Sequence, residues 1–411
     1  MPSSSTVMIS PPFSHAFGEA ARTKGQPTVL LARTYKGKGI SFIENKADWH
    51  GKPLKKGEET EKALDELTKQ LTPNGAVIQI PKPSGATPAP AAIGPMPTSP
   101  YKVGDSVAPR EAFGVALEAL GSVNPSIVAL DADVKNSTYT DKFGKKFSNR
   151  FFESFIAEQN MVGAAAGLAA CGKIPFAATF ACFLSRAYDF IRMAAISGSN
   201  IKLVGTHVGV SIGEDGPSQM GLEDIAMMAA QPNVTVLYPS DGNSTYQLIE
   251  VASKHKGMVY LRAGRPKAPV LYGPEERFHI GGSKILRQSA SDVLTIVAAG
   301  VTLFEALKAF DQLKASGIPV RVIDLYSIAP IDRQTLLDSG RATQRRILTV
   351  EDHYAHGGLG DAVLSAVATD DIKVYKLAVR EIPHSGKPEE LVDHYGIGVR
   401  SIVETAKQMI K

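Results

Sequence analysis

Three polar clusters between residues 157 and 223 carry groups suited to acid–base chemistry and to holding an anionic substrate. Ala157-Glu158-Gln159-Asn160 follows the strand-like run Phe151 to Ile156. Thr206-His207 follows Ile201 to Gly205, and Gly213-Glu214-Asp215-Gly216-Pro217-Ser218-Gln219 comes a few residues later. In open α/β sheets the ligand crevice lies beyond the carboxyl ends of the strands. A carboxylate, an imidazole and a Gly/Pro-bent acidic loop at one such rim point to a catalytic site.

Each group also has a plainer reading. An acid after a buried strand is partly desolvated and favours sharing a proton with a partner; a carboxylate in a first helical turn is equally favoured by the helix dipole. His207 alone reads as a structural histidine, and Asp215 alone as an Asp-Gly turn. Their combination is more specific than either part. Phe180, Phe183 and Tyr188, with Arg186 among them, suit a helix core or an apolar wall for a flat heterocycle. Arg110, Ser137 and Arg265 fall near predicted element ends, where two guanidiniums and a hydroxyl suit a phosphorylated substrate. Three other patterns carry less. Lys36-Gly37-Lys38-Gly39 lacks Walker spacing and reads as a turn. His356-Gly357-Gly358-Leu359-Gly360 precedes a helix and fits a turn better than an anion site. His353 and His356 lack helical metal-ligand spacing, and the sequence offers no metal site.

The elements that must position these residues alternate. Ile127 to Asp131, Phe151 to Ile156, Pro175 to Phe180, Ile201 to Gly205, Val234 to Tyr238 and Met258 to Arg262 read as strands. Ala112 to Leu120, Ala181 to Ile196 and Leu222 to Ala230 read as helices between them, the βα signature of a parallel sheet. A second α/β unit follows over 278–411, with strands at Val293 to Ala299, Val320 to Leu325, Ile347 to Val350 and Val374 to Val379. Its helices read as Leu303 to Ala315, Leu359 to Val367 and Val399 to Ile410. Residues 80–101 are rich in Pro, Ala, Gly and Ser and read as a linker. Residues 1–79 offer one strand, Thr28 to Thr34, and two helices, Ser14 to Arg22 and Glu58 to Leu71. That is too little for a sheet of its own, so this piece must dock elsewhere.

Composition bounds the rest. A chain of 411 residues, 44% hydrophobic and 21% charged, suits two or three globular domains. With 45 Lys and Arg against 41 Asp and Glu and no long basic run, nucleic acid is not an expected partner. No apolar run reaches membrane-spanning length, and Met1 to Pro12 does not read as a secretory signal. Cys171 and Cys182 form no disulfide framework, which suggests a reducing, cytoplasmic setting.

The motifs resemble the transketolase family. Ile156-Ala157-Glu158-Gln159-Asn160-Met161 is similar to its pyrimidine-binding segment, and Gly205 to Leu222 to its signature loop. Lys36 to Gly39 and Trp49-His50-Gly51-Lys52-Pro53-Leu54 resemble it upstream, and Gln219, where many microbial members have a His, is similar to the animal-type branch. The resemblance covers nearly all of the chain from Phe13. It implies a thiamine diphosphate-binding-type parallel sheet domain over 102–272, then a transketolase C-terminal α/β domain over 278–411. It also implies thiamine diphosphate and Mg²⁺ as cofactors, sugar phosphates as substrates, and a homodimer or a complex with an N-terminal transketolase chain. Glu158 would bond the pyrimidine nitrogen, favouring the tautomer that removes the thiazolium proton. Phe180 and Phe183 would flank the pyrimidine, with Arg186 beside them. Asp215 and Gln219 would orient the donor hydroxyls. His207, Arg110, Ser137 and Arg265 would hold the sugar phosphate, and His50 would face the substrate, with Lys36 or Lys38 near it.

One departure is large. The family's N-terminal domain holds Mg²⁺ and the diphosphate with a Gly-Asp-Gly motif and a downstream Asn, and no Gly-Asp-Gly occurs in this sequence. Residues 1–79 thus read as a remnant of that domain, and the metal ligands are expected from a missing domain or partner chain. Two-carbon ketol transfer with such a partner is the leading expectation. A non-catalytic dimerisation or regulatory module is the alternative, and a synthase of the deoxyxylulose phosphate type fits the Gly205 to Leu222 loop less well.

Overall fold

The structure, a computed structural model, describes residues 10–49, 51–70 and 93–411. The chain divides into a unit ending at residue 87 and a unit beginning at residue 88.

In the first unit, α1 (Ser10–Arg22) and α2 (Glu58–Gln70) match the two helices expected. Thr28 to Thr34 does not form the expected buried strand. Val29 and Leu31 are exposed, and a strand is stable only where sheet neighbours bond it and a face is covered. Lys36 to Gly39 does form a turn, with Gly37 at φ +67° and Lys38 paired to Glu44 at 2.8 Å.

The second unit is built from two large sheets and a two-stranded antiparallel pair, Ser106–Val107 with Ala268–Pro269. Its first part runs α3 (Pro109–Val123), β1 (Ile127–Asp131), β2 (Phe151–Glu153), α4 (Glu158–Ala170), β3 (Ile174–Phe180), α5 (Tyr188–Ile196) and β4 (Lys202–Thr206). It continues through α6 (Asp224–Ala229), β5 (Thr235–Leu237), α7 (Gly242–Lys254) and β6 (Val259–Ala263). The C-terminal part runs β7 (Lys284–Arg287), β8 (Thr295–Ala298), α8 (Val301–Ala315), β9 (Arg321–Asp324) and β10 (Ser327–Ala329). It ends with α9 (Arg333–Ala342), β11 (Arg346–Tyr354), α10 (Leu359–Val367), β12 (Lys373–Val379), α11 (Pro388–His394) and α12 (Val399–Met409).

The first sheet has the order β10-β5-β6-β4-β3-β1-β2 and is parallel except for β10. Its central strands β1, β4, β5 and β6 are wholly buried, because helices cover both faces. One apolar core gathers Val128, Leu130, Met161, Leu184, Leu203 and Tyr260, and another Phe113, Leu117, Phe143, Phe176 and Leu261. The chain steps from β1 to β2 on one side and returns to β3 on the other, so the switch point lies at the carboxyl ends of β1 and β3. The second sheet, β12-β11-β8-β9-β7, is parallel apart from β7 and packs around its own core of Leu294, Ile296, Leu303, Leu348 and Ile402.

Three elements depart from the sequence reading. Phe151 to Ile156 is a strand only over its first half: β2 is a three-residue edge strand, and Phe155, at φ +52°, turns the chain out of the sheet. Ala181 to Ile196 is not one helix but a tight 3₁₀ segment, Ala181–Ala187, followed by α5. Within 80–101, the described residues 93–101 pack against the body: Ser99 is buried and bonds Asn243, and the Pro97 carbonyl accepts from Tyr246.

Candidate functional site

Glu158 opens α4, and its carboxylate is buried, 3% exposed. The edge strand ends at Glu153 and the outward turn at Phe155 brings the chain back over the sheet rim, which sets Glu158 facing the 3₁₀ segment after β3. Arg186 from that segment donates through Nη1 to Glu158 Oε1 at 2.5 Å. The Arg186 guanidinium lies over the Phe183 ring, 4.4 Å from its centroid. Phe183 stacks on Phe180 at 5.1 Å and 11°, and Phe180 stacks on His207 at 3.6 Å and 18°. A carboxylate, a guanidinium and three planar rings thus form one continuous row across the ends of β3 and β4. The 3₁₀ geometry matters here: a regular helix from Ala181 would carry Phe183 and Arg186 around the helix at 100° per residue.

His207 stands at φ +56°, an uncommon backbone setting for a non-glycine residue that clusters at functional sites. Its Nδ1 lies 3.0 Å from Thr206 Oγ1 and its Nε2 lies 4.0 Å from Asp215 Oδ2. Burial, reinforced by Arg110 and Arg265, pushes its pKa down to about 3, so the imidazole is neutral near pH 7. Arg265 pairs with Asp215 at 3.3 Å and donates to the Ile212 carbonyl.

Arg110 sits in the first turn of α3, behind Pro109 at the helix start. Its backbone N–H bonds Gly264 O at 3.2 Å, and its Nη1 donates to Ser137 O at 2.9 Å. Burial lowers the Arg110 pKa from its usual value, and Nε has no partner among the described residues. Ser137 lies in the short helical turn that follows β1. Asp131, buried at the end of that strand, accepts from Thr138, Thr140 and the Val134 amide, and burial raises it to about 6. Two guanidiniums, a hydroxyl-bearing turn and a neutral imidazole therefore converge on one rim, which is the donor set for a phosphate or another small anion.

Of the residues selected from sequence, Glu158, Arg186, Phe183, Phe180, His207, Asp215, Arg265, Arg110 and Ser137 form this chain of neighbours. Gln219 lies on the same loop as Asp215, with its side-chain oxygen bonded to Ser218 at 2.6 Å. Tyr188 belongs elsewhere: its hydroxyl donates to Met227 O and accepts from Gln231, a structural role under α5. His50 lies outside the described residues. Sequence reasoning missed Asp131, whose signal was an acid at a strand end followed by two threonines. It also missed Asp352, for which a sequence offers none.

The rim is open and apolar at its margin. Phe155 and Ile156 are 69% and 75% exposed beside Glu158, and α5 leaves Phe190, Met193 and Ile196 exposed. A large cavity of about 850 Å³ lies away from these rings, between Tyr238, Gly300, Phe304, Val392 and Val403. Among the described residues, no group of three or more His, Cys, Asp or Glu side chains could hold a metal ion. No helix among them is long and apolar enough to cross a membrane.

Comparison with known proteins gives matches to the transketolase pyrimidine-binding domain over residues 105–270 and the transketolase C-terminal domain over 281–402. Transketolase of Mus musculus is 48% identical over 398 residues, which is 96% of this chain and 63% of that protein. Transketolase of Homo sapiens matches to the same extent. The chain thus spans under two thirds of the length of these curated relatives. A solved structure described as a split gene transketolase, inactive beta4 tetramer, is 40% identical with a TM-score of 0.69, covering 74% of this chain and 98% of its own.

Proposed function

The chain belongs to the transketolase family, and from that premise we propose that it transfers a two-carbon ketol unit from a ketose phosphate to an aldose phosphate together with a second chain. The observation that carries this is the row Glu158–Arg186–Phe183–Phe180–His207 joined to the Arg110/Arg265 anion site. Glu158, Phe180 and Phe183 fit the pyrimidine half of thiamine diphosphate: an acid in reach of a ring nitrogen beside apolar faces. When bound, that group supplies the nucleophilic carbon on which ketol chemistry depends. This chain's own work is then to hydrogen-bond the pyrimidine nitrogen through Glu158, to orient donor hydroxyls through Asp215 and Gln219, and to bind the phosphate through Arg110, Ser137, His207 and Arg265. Neutral His207 donates or accepts without adding charge beside two arginines.

Mg²⁺ and the diphosphate find no fitting ligands among the described residues, which offer no metal cluster, and the sequence lacks Gly-Asp-Gly. We assign those ligands to an N-terminal chain or domain. The exposed Phe155, Ile156, Phe190, Met193 and Ile196 around the half-site support a partner surface, and a homodimer of this chain within the assembly fits the same face. The related split-gene chain, inactive as a tetramer of its own kind, supports the same incompleteness. Two free cysteines, one of them exposed, support a reducing, cytoplasmic setting.

The test is to titrate purified chain with thiamine diphosphate and Mg²⁺, alone and mixed with a transketolase N-terminal chain, and to measure ketol transfer. Transfer only in the mixture supports the proposal. Transfer by this chain alone removes the need for a partner, and assembly without transfer leaves a regulatory module as the better reading.

A further inference from the structure

We propose that Asp352, on the C-terminal sheet, is a positioning residue that sets the pose of the donor-recognition loop and of Asp215 at its tip. The inference rests on the ketol-transfer reading above and deepens it.

The loop from Val208 to Glu223 leaves the first sheet at His207, where Val208 and Gly221 stay tied to that domain, and its middle packs on the C-terminal domain. Its flanks Val210, Ile212, Met220 and Leu222 are buried in the C-terminal core, among Leu294, Val350, Val379 and Leu391. The fully buried Asp352, near the end of β11, accepts from the Val210 amide at 2.7 Å and the Ser211 amide at 3.2 Å. Its two oxygens thereby cap the short 3₁₀ turn Val210–Ile212. Gly209, at φ +74°, permits that approach, since a Cβ there would run into the Asp352 carboxylate. Tyr354, two residues further along β11, donates its amide to Leu222 O at 2.9 Å and fixes the returning flank.

The tip is held from a third direction. Gly213 and Gly216 have φ of +84° and +80°. A Cβ on Gly213 would lie 3.0 Å from the Pro388 ring, and one on Gly216 would lie 2.5 Å from Ser385 Oγ. Between these clamps the loop projects Asp215 to 3.3 Å from Arg265 and 4.0 Å from His207, both anchored in the first domain. A side chain whose backbone is fixed by one domain and whose carboxylate meets partners on the other reports the relative register of the two. Small misplacement of such a group is costly for a reaction that depends on orientation.

The experiment uses the full chain in its assembly with an N-terminal transketolase chain, thiamine diphosphate and Mg²⁺. Asp352→Asn keeps the shape but turns an N–H₂ toward an amide N–H. Pro388→Ala releases the tip from a partly exposed position should the first variant fold poorly. We expect the KM for the ketose donor to rise about tenfold in Asp352→Asn, the scale of one charge-assisted hydrogen bond. The acceptor KM and the coenzyme concentration for half-activation should hold within about twofold, and Pro388→Ala should give a smaller shift of the same kind. Loss of kcat with an unchanged donor KM, or no kinetic change at all, would overturn the proposal. If the wild-type assembly transfers no ketol unit, the reaction reading fails by itself. The crystal structure of Asp352→Asn then decides the positioning claim. A displaced loop with the Asp215–Arg265 contact broken supports it; the contact kept at 3.3 Å overturns it.

Discussion

Arg186 closes on Glu158 with a 2.5 Å charge-assisted hydrogen bond while its guanidinium rests on the Phe183 ring. The two partners are unequal: the carboxylate is 3% exposed and the guanidinium 50%. An ion pair with one solvated member contributes modestly to stability, so this contact serves orientation more than folding. It fixes one carboxylate oxygen, Oε1.

From this follows a separation of activity from stability. Glu158→Gln in the reconstituted assembly should lower ketol transfer by at least about a hundredfold, the usual scale for a lost proton-transfer group. Unfolding free energy should change by no more than about 1 kcal/mol. Initial rates and urea unfolding of the same preparation check both. Undiminished transfer would remove Glu158 from the mechanism.

Arg265 serves two partners, Asp215 and the Ile212 carbonyl, through its Nη1. We predict that Arg265→Lys raises the KM for a phosphorylated donor about tenfold, while a non-phosphorylated ketose donor is affected less. Equal effects on both donors would assign Arg265 to the loop alone.

His207 makes stability depend on acid pH. Its folded pKa, about 3, lies below the ordinary histidine value of 6.5. Between those values the unfolded chain binds the extra proton, so stability is full above about pH 6.5 and falls as pH drops toward 3. The slope reaches up to about 1.4 kcal/mol per pH unit for this one group. Unfolding free energies of wild type and His207→Gln, measured from pH 7 to pH 4, should therefore converge or cross as pH falls. Parallel curves would show that His207 is not buried neutral.

Glu351 works in the opposite sense. Burial raises its pKa to about 8 from the ordinary glutamate value of 4.5, and Oε2 has no partner among the described residues. The folded state binds the extra proton between those values, so stability falls as pH rises from about 4.5 to 8. Glu351→Gln removes that dependence. Its melting temperature should exceed wild type at pH 8 by several degrees more than at pH 5; a constant difference would contradict the assignment.

Much of the fold is legible because buried parallel strands read as short apolar runs between helices. Ile127 to Asp131 is reproduced residue for residue, and the helix before it, expected over Ala112 to Leu120, differs only at its ends. The Thr28 to Thr34 run carries the same apolar signal and fails, since composition does not report whether a sheet neighbour exists. The site residues were legible as residue types at strand ends, which parallel topology carries to one rim.

Residue types and their order thus determined the family, the βα alternation and the candidate groups Glu158, His207, Asp215, Arg110 and Arg265. Tertiary structure alone decided that Arg186 meets Glu158, that Phe180 stacks on His207, and that Asp352 grips Val210 and Ser211 from 141 to 142 residues away. The physical reason is range. Periodicity and local propensity act over a few residues. Burial, ion pairing and loop register depend on which distant segments share a core, and only packing settles that.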